Sequence, residues 1–174
     1  MPAALVPSFF NARLRSIPEV ELSMIRHELA QWPLVVSVSA GLQTARSLNA
    51  FAQDWSRWLD RGEPFAILRV FADADSLVHP EGGARNAKRW LQERGEDIRR
   101  GMLGMASVVP ADQYEKMRSM NFEKLLGVPA RIFANTDEAL AWLGEEVMAP
   151  RGLRLDAAAV RAAIGTAHAA AVVS

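Results

Sequence analysis

The sequence predicts an α/β fold: a mixed, mostly parallel sheet of about five strands with surrounding helices, in the order β-β-α-β-α-β-α-β-α. Two observations carry this prediction. Short segments at 34–40, 65–71, 103–109 and 130–134 are apolar or β-branched, with strand length or period-two alternation. Between them run longer stretches whose apolar residues recur every three to four positions, the spacing of a helix with one buried face. Strands alternating with helices across short connections make a largely parallel sheet through right-handed crossovers.

Taken in order, Pro33 opens LVVSVSA, in which Leu34, Val36 and Val38 alternate with Val35, Ser37 and Ser39. Gly41 breaks it, and Leu48, Phe51, Ala52, Trp55 and Leu59 then mark the inner face of a helix ended by the RGEP turn. FAILRVF at 65–71 is almost wholly apolar and reads as a strand covered on both faces. After the loop ADADSLVHPEGG, a helix over 84–100 faces Ala87, Trp90, Leu91 and Ile98 inward, and Gly101 ends it. LGMASVV is the next strand. Pro110 and Asp112 start a helix over 112–126 whose apolar side includes Tyr114 and Met117. ARIFA precedes Asn135, an N-cap with Glu138 three residues on, and a helix burying Leu140, Leu143 and Val147. Residues 16–29 fit either state: Ser16 and Glu19 suit a capped helix, while Val20, Leu22 and Met24 alternate as in a strand. The strand is preferred, in a hairpin with 34–40 through the Glu28–Pro33 connection. Residues 1–150 thus form a single α/β domain with an N-terminal arm. Residues 151–174 form an Ala-rich tail, in which Asp156 suits the cap of a short helix through Val160 and Ile164.

Composition narrows the function classes. A chain of 174 residues buries about 70% of its unfolded surface and needs no staple. Lys+Arg and Asp+Glu are equal at 20 each, so no global positive field draws a phosphate backbone, and nucleic acid is not an expected partner. There are no cysteines, which removes disulfides and thiolate chemistry and fits a cytoplasmic location. The N-terminal MPAALVPSFFNARLR lacks the pattern of a secretory signal. No stretch approaches the ~20 apolar residues of a membrane span.

The phrases RGEPFAIL at 61–68, GMASVVP at 104–110 and PARIFANTDEALAWL at 129–143, with the helices between them, resemble the STAS/SEC14-like (SpoIIAA-like) domain family over about residues 20–148. This resemblance implies a mixed sheet with helices around it, in a group of regulatory binding modules and lipid-carrying relatives. One branch carries a phosphorylatable Ser after an Asp, in a short Asp-Ser/Thr-Ser/Thr-Gly-like motif. The matching segment here, Asp75-Ser76-Leu77-Val78, lacks the second hydroxyl and the Gly, which argues against phosphorylation of Ser76.

Ligands of open α/β sheets sit beyond the carboxyl ends of the strands. The loop after 65–71 is the longest there, and makes Asp73, Asp75, Ser76, His79, Gly82 and Gly83 the ligand-binding candidates. Two carboxylates and an imidazole suit a metal or proton transfer, and a Gly-Gly helix start suits an anion; a solvated turn has the same composition. His27, His79 and His168 show no metal-ligand spacing, and the chain has no GxSxG, no GxxxxGKS/T and no GxGxxG after a strand. No catalytic residue, metal or cofactor is expected on these grounds. Arg85, Lys88, Arg89, Arg94, Arg99 and Arg100 make the 84–100 helix locally basic, as an acid-seeking surface or as a solvated face paired with Glu93, Glu96 and Asp97. Trp58, Met117, Met120 and Phe122 are the candidates for an apolar surface. The expected function is a non-enzymatic STAS-like binding or regulatory module acting through a protein partner or as a homodimer. A carrier of a lipid or other apolar small molecule, held between helix 112–126 and the sheet, is the alternative. An enzyme using loop 73–83 is the third.

Overall fold

A computed structural model describes residues 24–172, with side chains to Ala170. The expected architecture is present: a five-stranded mixed sheet with sequential order β1-β2-β3-β4-β5. Strand β1 (Met24–Glu28) runs antiparallel to β2 (Leu34–Ala40), from Met24 opposite Ala40 to Glu28 opposite Val36. This is the hairpin through Glu28–Pro33, and it settles 24–28 as strand; 16–23 and the N-terminal arm lie outside the described residues. The remaining pairs, β2 with β3 (Phe65–Phe71), β3 with β4 (Met102–Val108) and β4 with β5 (Ala130–Phe133), are parallel.

A sequential parallel order fixes where the helices go. Crossovers of one hand, each stepping the same way along the sheet, all pass over the same face. That face is covered by α1 (Ala45–Asp60), α2 (Gly83–Gly101) and the pair α3 (Tyr114–Met117) and α4 (Phe122–Leu126). Val35, Phe65, Ile67 and Met105 from the strands meet Phe51, Trp55, Ile98 and Leu126 there. After β5 the chain crosses to the opposite face as α5 (Thr136–Trp142), a π-helical turn over Leu143–Met148, and α6 (Ala157–Val172). Leu34, Val36, Val38, Leu68 and Ala106 pack there against Leu140, Leu143, Val147, Val160 and Ile164. Strands apolar on both faces are thus explained, because both faces are covered.

Several elements depart from expectation. The helix expected beyond residue 150 is present, but it is 16 residues long rather than short. It starts where Asp156 Oδ1 accepts from the Ala159 N–H at 3.0 Å, and its Val160, Ile164 and Ala167 belong to the core. The expected helix over 112–126 is two short helices: Asn121 caps the second by accepting from the Lys124 N–H, and residues 118–121 break the register. Helix competence is lost because Ser119 and Asn121 prefer local hydrogen bonds to continued helix. Helix α2 turns Trp90, Leu91 and Ile98 to the core as expected, while Ala87, also expected inward, is exposed. Among the described residues no helix is long and apolar enough to cross a membrane.

Candidate functional site

On the α1/α2 face the sheet changes character along its length. At one level Val35, Ile67 and Met105 lie side by side and are buried. Two residues further toward the carboxyl ends, the register aligns His27 with Ser37, Ser37 with Arg69, and Arg69 with Ser107. Because side chains alternate in a strand, these share the α1/α2 face with Val35, Ile67 and Met105. A polar row therefore crosses the sheet where the apolar core ends.

His27 is held by four side chains. Its ring stacks on Phe51 at 5.2 Å between centroids and meets Trp58 edge-on at 4.9 Å. Its Nδ1 lies 2.9 Å from Ser37 Oγ, and its Nε2 lies 3.5 Å from Asp54 Oδ2. Burial lowers its pKa from 6.5 to about 4, with the Asp54 carboxylate opposing and the Arg69 cation adding to the effect. The ring is therefore neutral at pH 7. A carboxylate only accepts, so the ring proton belongs on Nε2 toward Asp54, and the Ser37 hydroxyl donates to Nδ1. The order Ser-His-Asp has the composition of a nucleophile relay, but Ser37 is 1% exposed inside a sheet ladder where no substrate carbonyl reaches it.

Arg69 stands at the middle of the row. Its guanidinium carbon lies 4.9 Å from the Phe51 ring centroid and 4.7 Å from that of Phe71. Its Nε is enclosed without an acceptor, while the residue keeps part of its surface in solvent. Burial lowers its pKa to about 10, which leaves it charged at neutral pH. The sequence signal for it is a single charged residue at the centre of an otherwise apolar strand, which hydrophobic periodicity passes over.

The loop candidates divide. Asp73 accepts from the Gly41 N–H at 3.0 and 3.2 Å and from the Ser76 N–H at 2.8 Å, tying the loop after β3 to the loop after β2. Ser76 is buried and its Oγ donates to the Asp73 carbonyl at 2.7 Å. Asp75 and His79 are exposed. Gly82 takes a left-handed φ of 74° as the cap before Gly83, which is buried, and a Cβ on Gly83 would meet Pro80 and Leu48. Asp73 and Ser76 thus act as a knot of the backbone, and the convergence of Asp73, Asp75 and His79 that an enzyme on this loop would need does not occur. No cluster of three metal-ligating side chains exists among the described residues.

Of the apolar surface candidates, Trp58 is corrected: it is 4% exposed, closed between His27 and Phe65. Lying three residues after Trp55, it shares that residue's helix face. Met117 and Phe122 are half-buried, and Met120 is 47% exposed. Leu125, also in α4, is 55% exposed. A cleft of about 360 Å³ opens between this segment and β5, lined by Tyr114, Met120, Phe122, Arg131 and Ile132 among others. On α2, Arg94 is paired with Asp60 and Asp97, while Arg85, Lys88, Arg99 and Arg100 are exposed.

The chain matches no family model, no curated protein and no solved structure. The likeness to STAS-like domains therefore rests on its sequence phrases and element order.

Proposed function

We propose that this chain is a cytoplasmic, non-enzymatic binding module of STAS-like character, acting through a protein partner that docks along β5. One observation carries the proposal: a cleft in which Phe122, Ile132 and exposed Met120 lie among Arg118, Glu123 and Arg131 runs beside a strand that pairs only with β4 among the described residues. An edge strand presents unpaired N–H and C=O groups, and an adjacent groove of mixed apolar and charged lining gives the alternate side chains of an added strand somewhere to go. Methionine suits such a groove because its unbranched, polarizable side chain adapts to varied shapes. Two other readings have less behind them. A carrier with a mobile helix over 112–126 meets two short helices instead, with Leu126 and Val128 closed into the core. An enzyme built on loop 73–83 meets an Asp73 carboxylate already occupied by two backbone N–H groups.

A photo-crosslinking residue in place of Met120, compared with one in place of the exposed Gln92 on α2, tests this in cells. The expected result is one discrete adduct at Met120 that is absent at Gln92 and is lost when Leu125→Glu is added. An adduct of twice the chain mass identifies the partner as a second copy. The same diffuse products from both positions would sink the proposal.

A further inference from the structure

Arg69 raises a separate question, independent of whether β5 docks a partner. A guanidinium taken out of water without an anion is costly, and buried charges in folded proteins are ordinarily paired. Here none of the carboxylates in the described residues lies within ion-pairing distance of Arg69, and it makes no hydrogen bond among them. Asp54, the carboxylate nearby on α1, is engaged by Arg57 and by His27. Asp73 is engaged by Gly41 and Ser76. The cation is nevertheless fixed in place, between the rings of Phe51 and Phe71.

A second observation points the same way. Ser39 and Ser107 share the α1/α2 face with Arg69, one diagonal to it on β2 and the other directly opposite on β4. They are 4% and 3% exposed, and neither hydroxyl bonds to a protein group among the described residues. One cation and two hydroxyl donors, all without acceptors, therefore collect at the carboxyl end of the sheet. Open α/β sheets bind ligands at that end.

We propose that Arg69 anchors a binding site for a small carboxylate, with Ser39 and Ser107 as supporting donors. The charge arithmetic selects a carboxylate over a phosphate. A single guanidinium balances one negative charge, His27 is neutral, and Asp54 would repel a second. The planar fork of the guanidinium also matches the two oxygens of a carboxylate, and the flanking rings suit an apolar body attached to it.

The test is a titration of the whole chain with sodium benzoate, followed through the side-chain Nε–H resonance of Arg69, with sodium phosphate and sodium chloride at matched ionic strength as comparisons. A saturable shift with benzoate and only a weak, linear drift with the other two is expected. In Ser107→Ala the benzoate affinity falls several-fold. In Arg69→Lys, which keeps the charge without the fork, it falls roughly tenfold. Arg69→Met, followed through backbone resonances of Phe71, shows no saturable response. Equal drifts with all three salts, or saturation by phosphate in preference to benzoate, overturns the proposal.

Discussion

The Nδ1 of His27 sits 2.9 Å from the Oγ of Ser37, joining the antiparallel strand β1 to the first parallel strand through a buried side-chain hydrogen bond. In the neutral ring Nδ1 accepts from the Ser37 hydroxyl, a direction that must reverse when the ring is protonated. Protonation destroys the acceptor and leaves a cation beside Arg69.

A pH dependence of stability follows. The folded-state pKa of His27 is about 4, against 6.5 when the chain is unfolded. Between those values the unfolded state binds more protons, so stability rises with pH across the window. It is complete above pH 6.5 and is lost as pH falls toward 4, by at most about 3 kcal/mol. Urea unfolding of the natural chain and of His27→Gln at pH 7, 5.5 and 4.5 measures it. The variant is the less stable at pH 7, and the gap narrows as the pH drops. A gap that stays constant would show that His27 does not titrate in this range.

The knot at Asp73 gives a second expectation. Its carboxylate satisfies the N–H groups of Gly41 and Ser76, and with them the relative position of two carboxyl-end loops. Asp73→Ala orphans both donors at a cost of about 1–3 kcal/mol. Hydrogen exchange at Gly41 and Ser76 should quicken well beyond the change seen in β3. If the two amides keep their protection, the loops are held by something other than this side chain.

Glycines at two places predict opposite signs. A Cβ on Gly104 would sit 2.9 Å from Val147 Cγ1 and 3.1 Å from the Pro129 carbonyl oxygen, and backbone does not yield. Gly104→Ala therefore destabilises by about 1–3 kcal/mol through overpacking between β4 and the π-helical turn. Gly165 lies exposed in α6 with nothing within 4 Å of such a Cβ. Gly165→Ala gains about 0.5–1 kcal/mol of helix propensity. Thermal melts of the two variants that move in the same direction contradict this packing.

What the sequence discloses is set by range. The strands over 34–40 and 65–71 are legible because β-branched and apolar residues fill a short span, and Asn135 and Asp156 are legible as caps because they act within three residues. The polar row is not, because Ser37, Arg69 and Ser107 meet only through strand register, and each alone is an ordinary interruption of an apolar strand. The same holds for Trp58, whose burial depends on where His27 and Phe65 come to lie. Helix 112–126 misled through its apolar spacing, which survives the break at 118–121 because α4 continues on the same face of the sheet.

The Ala-rich segment after Pro150 is where composition and packing diverge most, and it yields the sharpest structural prediction. An Ala-rich helix has little amphipathic contrast, yet Val160, Ile164 and Ala167 recur at intervals of four and three and face the sheet. They cover Leu34, Val36 and Val38 of β2 on that face. Ile164→Ala should cost about 2–4 kcal/mol, as a buried large-to-small change does. Removing residues 157–174 should leave one face of β2 open and convert the protein to a form that binds a hydrophobic dye and melts without a cooperative transition. A shortened chain that unfolds as sharply as the full one, at the same temperature, would show that α6 rests on the domain without stabilising it.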